Sequence, residues 1–259
     1  MIRFVLLFLL IATRVAAQSP AAIETELLGY LTTMAESGTY SGEYDEEKLE
    51  PATDALKKKL MHYATRADVL KYGFPRLKDE MFIATSRDGR LRVYSWDLQT
   101  GGTMHEYDQV IQYVGASGKT IAWTLPENAD YAELGGFVTD VFQIATPRRP
   151  IYLLVSTSIA SSSLNSQSIN AVRVVGDELD LNAKVIRTAT GLTNSITFSY
   201  DFFTVVDHPE RPIRLFTFNE ARREFKFPVV VKDEKTPQGR VTNKFITYRF
   251  DGTHFVKVS

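Results

Sequence analysis

The chain of 259 residues contains no cysteine. That excludes disulfides and thiolate metal sites, and it excludes a lipid-modified cysteine behind an export leader. Asn-x-Ser/Thr glycosylation sequons are also absent: Asn165, Asn170 and Asn194 all lack the required third residue. Exported eukaryotic proteins of this size usually carry disulfides, so the two absences together point to a bacterial exported protein. Charge of one sign is not in excess, with 30 Lys and Arg against 31 Asp and Glu. A nucleic-acid-binding domain concentrates positive charge on one face, so no nucleic-acid partner is expected. The one basic run, Lys57-Lys58-Lys59, lies in a helical pattern and reads as a solvated face.

Long apolar runs are missing as well, apart from a short one at the start. Arg3 supplies a positive charge, Phe4–Ala12 is wholly apolar, and Val15-Ala16-Ala17 puts small residues where a signal peptidase reads. A membrane-spanning helix needs about 20 apolar residues, and Arg14 closes this run well short of that. Residues 1–17 therefore read as an export signal cleaved after Ala17. No later segment is apolar for long enough to span a bilayer. The sequence predicts a soluble product, periplasmic or extracellular, neither lipid-anchored nor inserted in a membrane.

Two regimes follow the leader: a helical segment over 18–78 and an all-β domain over 79–259. Ile23, Leu27, Leu28, Leu31 and Met34 recur at helical spacing over 21–36, and Ser37-Gly38 supplies a stop. Residues 39–45 read as a loop. Pro51 fits the first turn of a second helix running to about Tyr63, with Leu56, Leu60 and Tyr63 or Ala64 as its apolar stripe. Tyr72-Gly73-Phe74-Pro75 breaks the pattern. Beyond Met81, short β-rich runs alternate with turns. Asp88-Gly89 and Asp251-Gly252 carry the strongest hairpin signal, because their central turn positions need positive φ. Gly118 and Gly176 mark two further tips. In the first hairpin Leu91, Val93 and Ser95 point one way, and Arg92, Tyr94 and Trp96 the other.

The expected fold is mostly β: an antiparallel meander of about twelve strands with a short helical N-terminal segment. Groups of four at 81–125, 137–188 and 196–258 suggest propeller-like blades, yet three are few for a closed ring. A β-sandwich or curled sheet accounts for the same strands. The helices would then cover one face or edge.

The stretch from Thr85 to Asp97, followed by Thr100-Gly101-Gly102-Thr103-Met104-His105, resembles exported proteins of unassigned function from Bacteroidetes-type bacteria. Thr190–Ile196 and the closing Tyr248-Arg249-Phe250-Asp251-Gly252 fit the same resemblance, which covers most of residues 50–259. It implies an exported compartment and assigns no catalytic residue.

The segment from Trp96 to Asp108 mixes residue types that bind ligands. Trp96, Asp97, His105, Glu106 and Asp108 flank Gly101-Gly102 and Thr103, where backbone freedom lets a ligand approach the main chain. A core strand has little use for that mixture, because each buried polar group needs a partner; the plainer reading is a wide loop followed by an ordinary strand. On a strand His105 and Glu106 face opposite ways, which keeps them from sharing a metal. Asp207-His208-Pro209-Glu210-Arg211-Pro212 is a proline-stiffened loop offering an imidazole between two acids, as a possible neighbour or simply a polar turn. Serines 156, 158, 161–163, 166 and 168 lack the Gly-x-Ser-x-Gly elbow of a hydrolase and read as local caps. Asp88, Asp97, Asp140 and Asp201 are eligible as paired carboxylates for glycoside hydrolysis. Aromatic residues form 12 % of the chain and read first as core, with Trp96, Trp123 and Tyr131 as the rings to inspect for a sugar platform.

No phosphate-binding glycine loop, zinc helix or calcium-loop spacing occurs, so neither cofactor nor metal is expected. The sequence thus points to an exported binding or interaction domain for a small molecule, glycan or protein. The alternative is a periplasmic hydrolase, acting on carbohydrate through carboxylates placed by the fold. N-terminal sequencing of exported material is expected to begin at or near Gln18, and recovery of an intact Met1 from the soluble fraction would sink that expectation.

Overall fold

The computed structural model describes residues 18–125, 135–147, 149–211 and 213–258. Residues 1–17, expected to be a leader, and Tyr131 lie outside them. Helix α1 (Pro20–Ser37) starts where Ser19 accepts a bond from the Ala22 amide, with Pro20 in its first turn. Helix α2 (Glu46–Tyr63) starts five residues before Pro51, contrary to the expectation that Pro51 opens it. The Asp45 carboxylate accepts from the Lys48 amide at 3.3 Å, and Glu46 and Glu47 favour the positive end of the helix dipole. Pro51 then forfeits only the bond to the Glu47 carbonyl near the helix start. A short α3 (Ala67–Lys71) and a 3-10 turn (Leu77–Asp79) lead into the β region.

Fifteen strands follow among the described residues. The first four are β1 (Phe82–Thr85), β2 (Leu91–Asp97), β3 (Tyr107–Val114) and β4 (Thr120–Thr124). Next come β5 (Phe137–Ile144), β6 (Ile151–Ile159), β7 (Leu164–Val175) and β8 (Glu178–Asp180). Then follow β9 (Ile186–Thr188), β10 (Gly191–Thr193), β11 (Ser195–Asp201) and a single helical turn, α4 (Phe203–Val206). The chain closes with β12 (Thr217–Asn219), β13 (Glu224–Val231), β14 (Arg240–Phe250) and β15 (Phe255–Lys257). The turn α4 interrupts the run of strands expected over 196–258.

The first four strands form one antiparallel sheet in chain order, as grouped from the sequence. The later grouping fails. Strand β11 pairs with β7 in a second sheet, β11-β7-β6-β5 with β8 beside β7. Strand β9 pairs with β15 in a third, β10-β9-β15-β14-β13-β12. The β9–β15 pair is parallel, the exception among the otherwise antiparallel pairs of the described residues. No propeller ring closes; the sheets stack as a sandwich. Gly89 (φ 65°) and Gly252 (φ 110°) sit at the tips of the β1–β2 and β14–β15 hairpins, in the left-handed region those turns demand.

Side-chain alternation sets four layers. On β2, Tyr94 and Trp96 pack under the helices with Ile23, Leu27, Leu56 and Leu60. Its opposite face, Leu91 and Val93, meets Val138, Tyr152, Leu154 and Val172 of the second sheet. On β6 the next alternation places Ile151, Leu153 and Val155 against Phe225, Phe227 and Phe255 of the third, with Phe216 just before β12. Strands β2 and β6 are therefore buried on both faces.

Two buried charges hold the helical layer on. Glu24, 2 % exposed, accepts from the Tyr72 hydroxyl at 2.9 Å and from the Arg76 and Leu77 amides at 2.9 and 3.0 Å. Arg92, on β2, donates to the Val69 and Tyr72 carbonyls at 3.2 and 2.8 Å and to the Thr85 hydroxyl at 2.8 Å. Its guanidinium also lies against the rings of Phe74 and Tyr94. The Tyr94 hydroxyl donates to Gln112, whose amide reaches the Arg66 carbonyl. The basic run is only partly solvated: Lys58 is exposed, but Lys57 pairs with Asp108 at 2.9 Å and Lys59 with Glu26 at 2.7 Å. Burial alone pushes the Glu26 carboxyl up, and bonds from Lys59, Tyr63 and Gln18 outweigh it and bring it to about 2.

Glu24→Ala would strand two backbone amides and a phenol in the interior. It is expected to cost about 3 kcal/mol, read as a lowered midpoint in urea unfolding; a cost below about 1 kcal/mol would show that water replaces the carboxylate.

Candidate functional site

The structure divides the Trp96–Asp108 segment. Trp96 turns inward, is 1 % exposed, and belongs to the core under the helices; its indole N–H has no partner among the described residues. It is no ligand platform. Asp97, His105 and Glu106 stay near the surface. The His105 Nδ1 lies 2.6 Å from Asp97 Oδ2. Tyr40, from the loop between α1 and α2, stacks on the imidazole with centroids 4.8 Å apart, and Tyr107 lies beyond it at 6.3 Å. Tyr107 continues to Phe137 and Phe137 to Phe82. Tyr40 and Phe82 are exposed at the two ends of this row. Burial, then the charge of Asp97, pushes the Tyr107 phenol up.

Hydrogen bonds make this cluster a latch between the α1–α2 loop and the first sheet. The Asp97 carboxylate accepts from the Gln99 amide at 2.8 Å, and Glu106 accepts from the Thr100 hydroxyl at 3.0 Å. The Thr39 amide donates to the Gln99 carbonyl, and its hydroxyl bonds to the Gly101 carbonyl. A Cβ on Gly101 would overlap the Met104 carbonyl, whereas Gly102 faces open space. The glycine pair thus serves close backbone packing at its first member. Asp108 leaves the cluster and holds Lys57.

Asp207, His208 and Glu210 form a separate exposed turn after α4. His208 Nδ1 lies 3.1 Å from Glu210 Oε1, and no hydrogen bond or ion pair among the described residues joins this turn to His105. Pro212 lies outside the described residues. Ser161 caps the β6–β7 turn, and Ser168 meets Thr197 at 2.8 Å; no described serine bonds to a histidine. Asp140 faces Arg214 and Asp201 caps the Phe203 amide, so these carboxylates serve separate neighbours. Trp123 is half-buried against the core between the first two sheets. Among the described residues no group of three His, Asp or Glu is placed to hold a metal ion.

A groove lies at the other end of β6. His105 reaches that strand's last residue, the Ile159 carbonyl, whereas the groove surrounds the β5–β6 turn before its first, Ile151. Three adjoining cavities of about 380, 560 and 530 Å³ make up the groove. The first two share Asp88, Gln143 and Ala145; the first and third share Thr146 and Arg149. Asp88, expected at a hairpin tip and as a candidate paired carboxylate, accepts from the Ser86 and Tyr152 hydroxyls at 2.6 and 2.9 Å and from the Arg90 amide at 3.1 Å. Burial, then the Asp88 charge, pushes the Tyr152 phenol up. The groove was not legible in the sequence, because its lining comes from six turns far apart in the chain. The one local signal was the density of arginine at 87, 90, 148 and 149 beside turn residues.

No protein-family model matches the chain, nor does any curated protein or solved structure.

His105→Ala should release the α1–α2 loop by removing the stack on Tyr40 and the bond to Asp97. The expected cost is about 1–2 kcal/mol, with faster amide exchange over 38–45; unchanged protection there would refute the latch.

Proposed function

We propose that this chain is an exported, soluble binding domain that seats its ligand in the groove around the β5–β6 turn. The observation that carries the reading is that the three cavities adjoin, with lining residues in common. Ligand sites are concave, largely apolar, and carry a few convergent polar groups. Val114, Ala116, Pro150 and Val174 supply apolar wall here, with Gln143, Thr146 and Arg149 among them. The walls belong to hairpin turns held by the stacked sheets, so the site is formed before a ligand arrives, which lowers the ordering cost of binding. The leader at residues 1–17 and the resemblance to exported bacterial proteins support the compartment.

A hydrolase is the second reading, favoured by the 2.6 Å contact between Asp97 and His105, which is the acid-and-imidazole half of a nucleophilic site. Among the described residues no hydroxyl is bonded to that imidazole, so the pair serves better as the latch.

Ala145 lines both the first and second cavities, and Ala145→Trp would fill their junction. In a thermal-shift screen of soluble oligosaccharides and peptides, a true groove ligand raises the melting temperature of the wild type and leaves the variant unmoved. Equal stabilisation of both proteins by every hit would place binding elsewhere.

A further inference from the structure

We infer that the groove takes an acidic oligosaccharide, one bearing carboxylate or sulfate groups along its length; this rests on the binding reading above. Five arginines line the three cavities: Arg87, Arg90, Arg149, Arg173 and Arg223. The carboxylates lining them are Asp88 and Glu220. Glu220 is paired with Arg87, and Asp88 has both oxygens committed to Ser86, Tyr152 and the Arg90 amide. Arg173 has Asp180, outside the lining, at 3.3 Å. The positive charge of Arg90, Arg149 and Arg223 is left without a carboxylate partner among the described residues.

Two of those three guanidiniums are held in place by neutral acceptors. Arg149 donates through Nη1 to the Val174 carbonyl at 3.1 Å. Arg223 donates through Nη2 to the Ala145 carbonyl at 3.3 Å and lies 4.5 Å over the Phe250 ring. A carbonyl orients a guanidinium and leaves its charge uncompensated, and its remaining N–H groups suit a carboxylate or sulfate fork. The Arg90 guanidinium makes no hydrogen bond or ion pair among the described residues, its backbone alone bonding to Asp88 and Val114.

The overall balance of charge hides this end. The opposite end carries a concavity lined by Glu36, Glu43, Asp45, Glu46 and Glu47 with Lys48 alone against them. The lining at one end of β6 is thus richer in arginine and that at the other in carboxylates, an arrangement that favours an anion at the groove. The positive groups are spread over linked cavities, which matches a ligand whose charge repeats along a chain. Gln143, Thr146 and Thr253 add neutral polar groups of the kind that meet sugar hydroxyls.

The test is titration of the mature protein with oligogalacturonate and a sulfated oligosaccharide, beside neutral maltohexaose and poly-glutamate. Expected is at least tenfold tighter binding of the acidic sugars than of maltohexaose, lost in Ala145→Trp, and reduced at least tenfold in Arg90→Glu and in Arg149→Glu. The Arg90 side chain has no hydrogen bond or ion pair among the described residues to lose, and its backbone bonds survive substitution, so its variant keeps the fold even where Arg149→Glu does not. Equal affinity for maltohexaose, with Arg90→Glu within twofold of wild type, overturns the charge inference and leaves the groove reading standing. Tighter binding of poly-glutamate than of either acidic sugar overturns the ligand class. Sugars that bind the wild type and Ala145→Trp alike, or do not bind at all, overturn this inference; the groove reading falls with it only if no hit of the thermal-shift screen is lost in that variant.

Discussion

The structure depends on how one short connector, residues 69–77, is gripped from both sides. Glu24 of α1 takes its amide protons at Arg76 and Leu77, and Arg92 of β2 offers protons to its carbonyls at Val69 and Tyr72. The acid and the base do not bond each other. Each is satisfied by backbone, the form in which a buried charge is tolerated in a low-dielectric interior. The connector thereby fixes the angle at which the helical layer meets β2, and Tyr94 and Trp96 can be covered only once that angle is set.

Covering that face lets the first sheet be buried on both sides. Leu91 and Val93 then press on the second sheet, and the second sheet presses on the third through Ile151, Leu153 and Val155. Hairpin turns from three layers are brought to one end of β6, and the helix–helix loop with its latch to the other. One end gathers arginines around a groove, the other acids around Tyr40 and His105. The same stacking that buries apolar area thus separates the charges and shapes the concavity.

Much of the secondary structure was legible. The 3.6-residue spacing of Ile23, Leu27, Leu31 and Met34, the Asp-Gly tips, and the two faces of Leu91–Trp96 all reflect local rules of helix, turn and pleat. Pro51 misled because a capping Asp45 and two following glutamates open the helix earlier, and a proline near a helix start costs little. Trp96 misled for a different reason. Aromatic residues serve platforms and cores alike, and the side chain's face was read correctly without knowing that a helical layer would cover it. Arg92 gave no sign of burial, since its partners are carbonyls 20 or more residues away in the chain.

The sequence by itself determined the elements: which runs coil, which extend, where they turn, and that no disulfide holds them. The tertiary structure decided which strands became neighbours. Strands β9 and β11 exchange sheets relative to their chain order because pairing is chosen by complementary apolar faces across layers, and sequence distance does not limit it. The groove belongs to that second kind of information. Arg90, Arg149 and Arg223 converge through turns supplied by different sheets, and electrostatics acts through space. Their shared charge came into being only when the layers stacked.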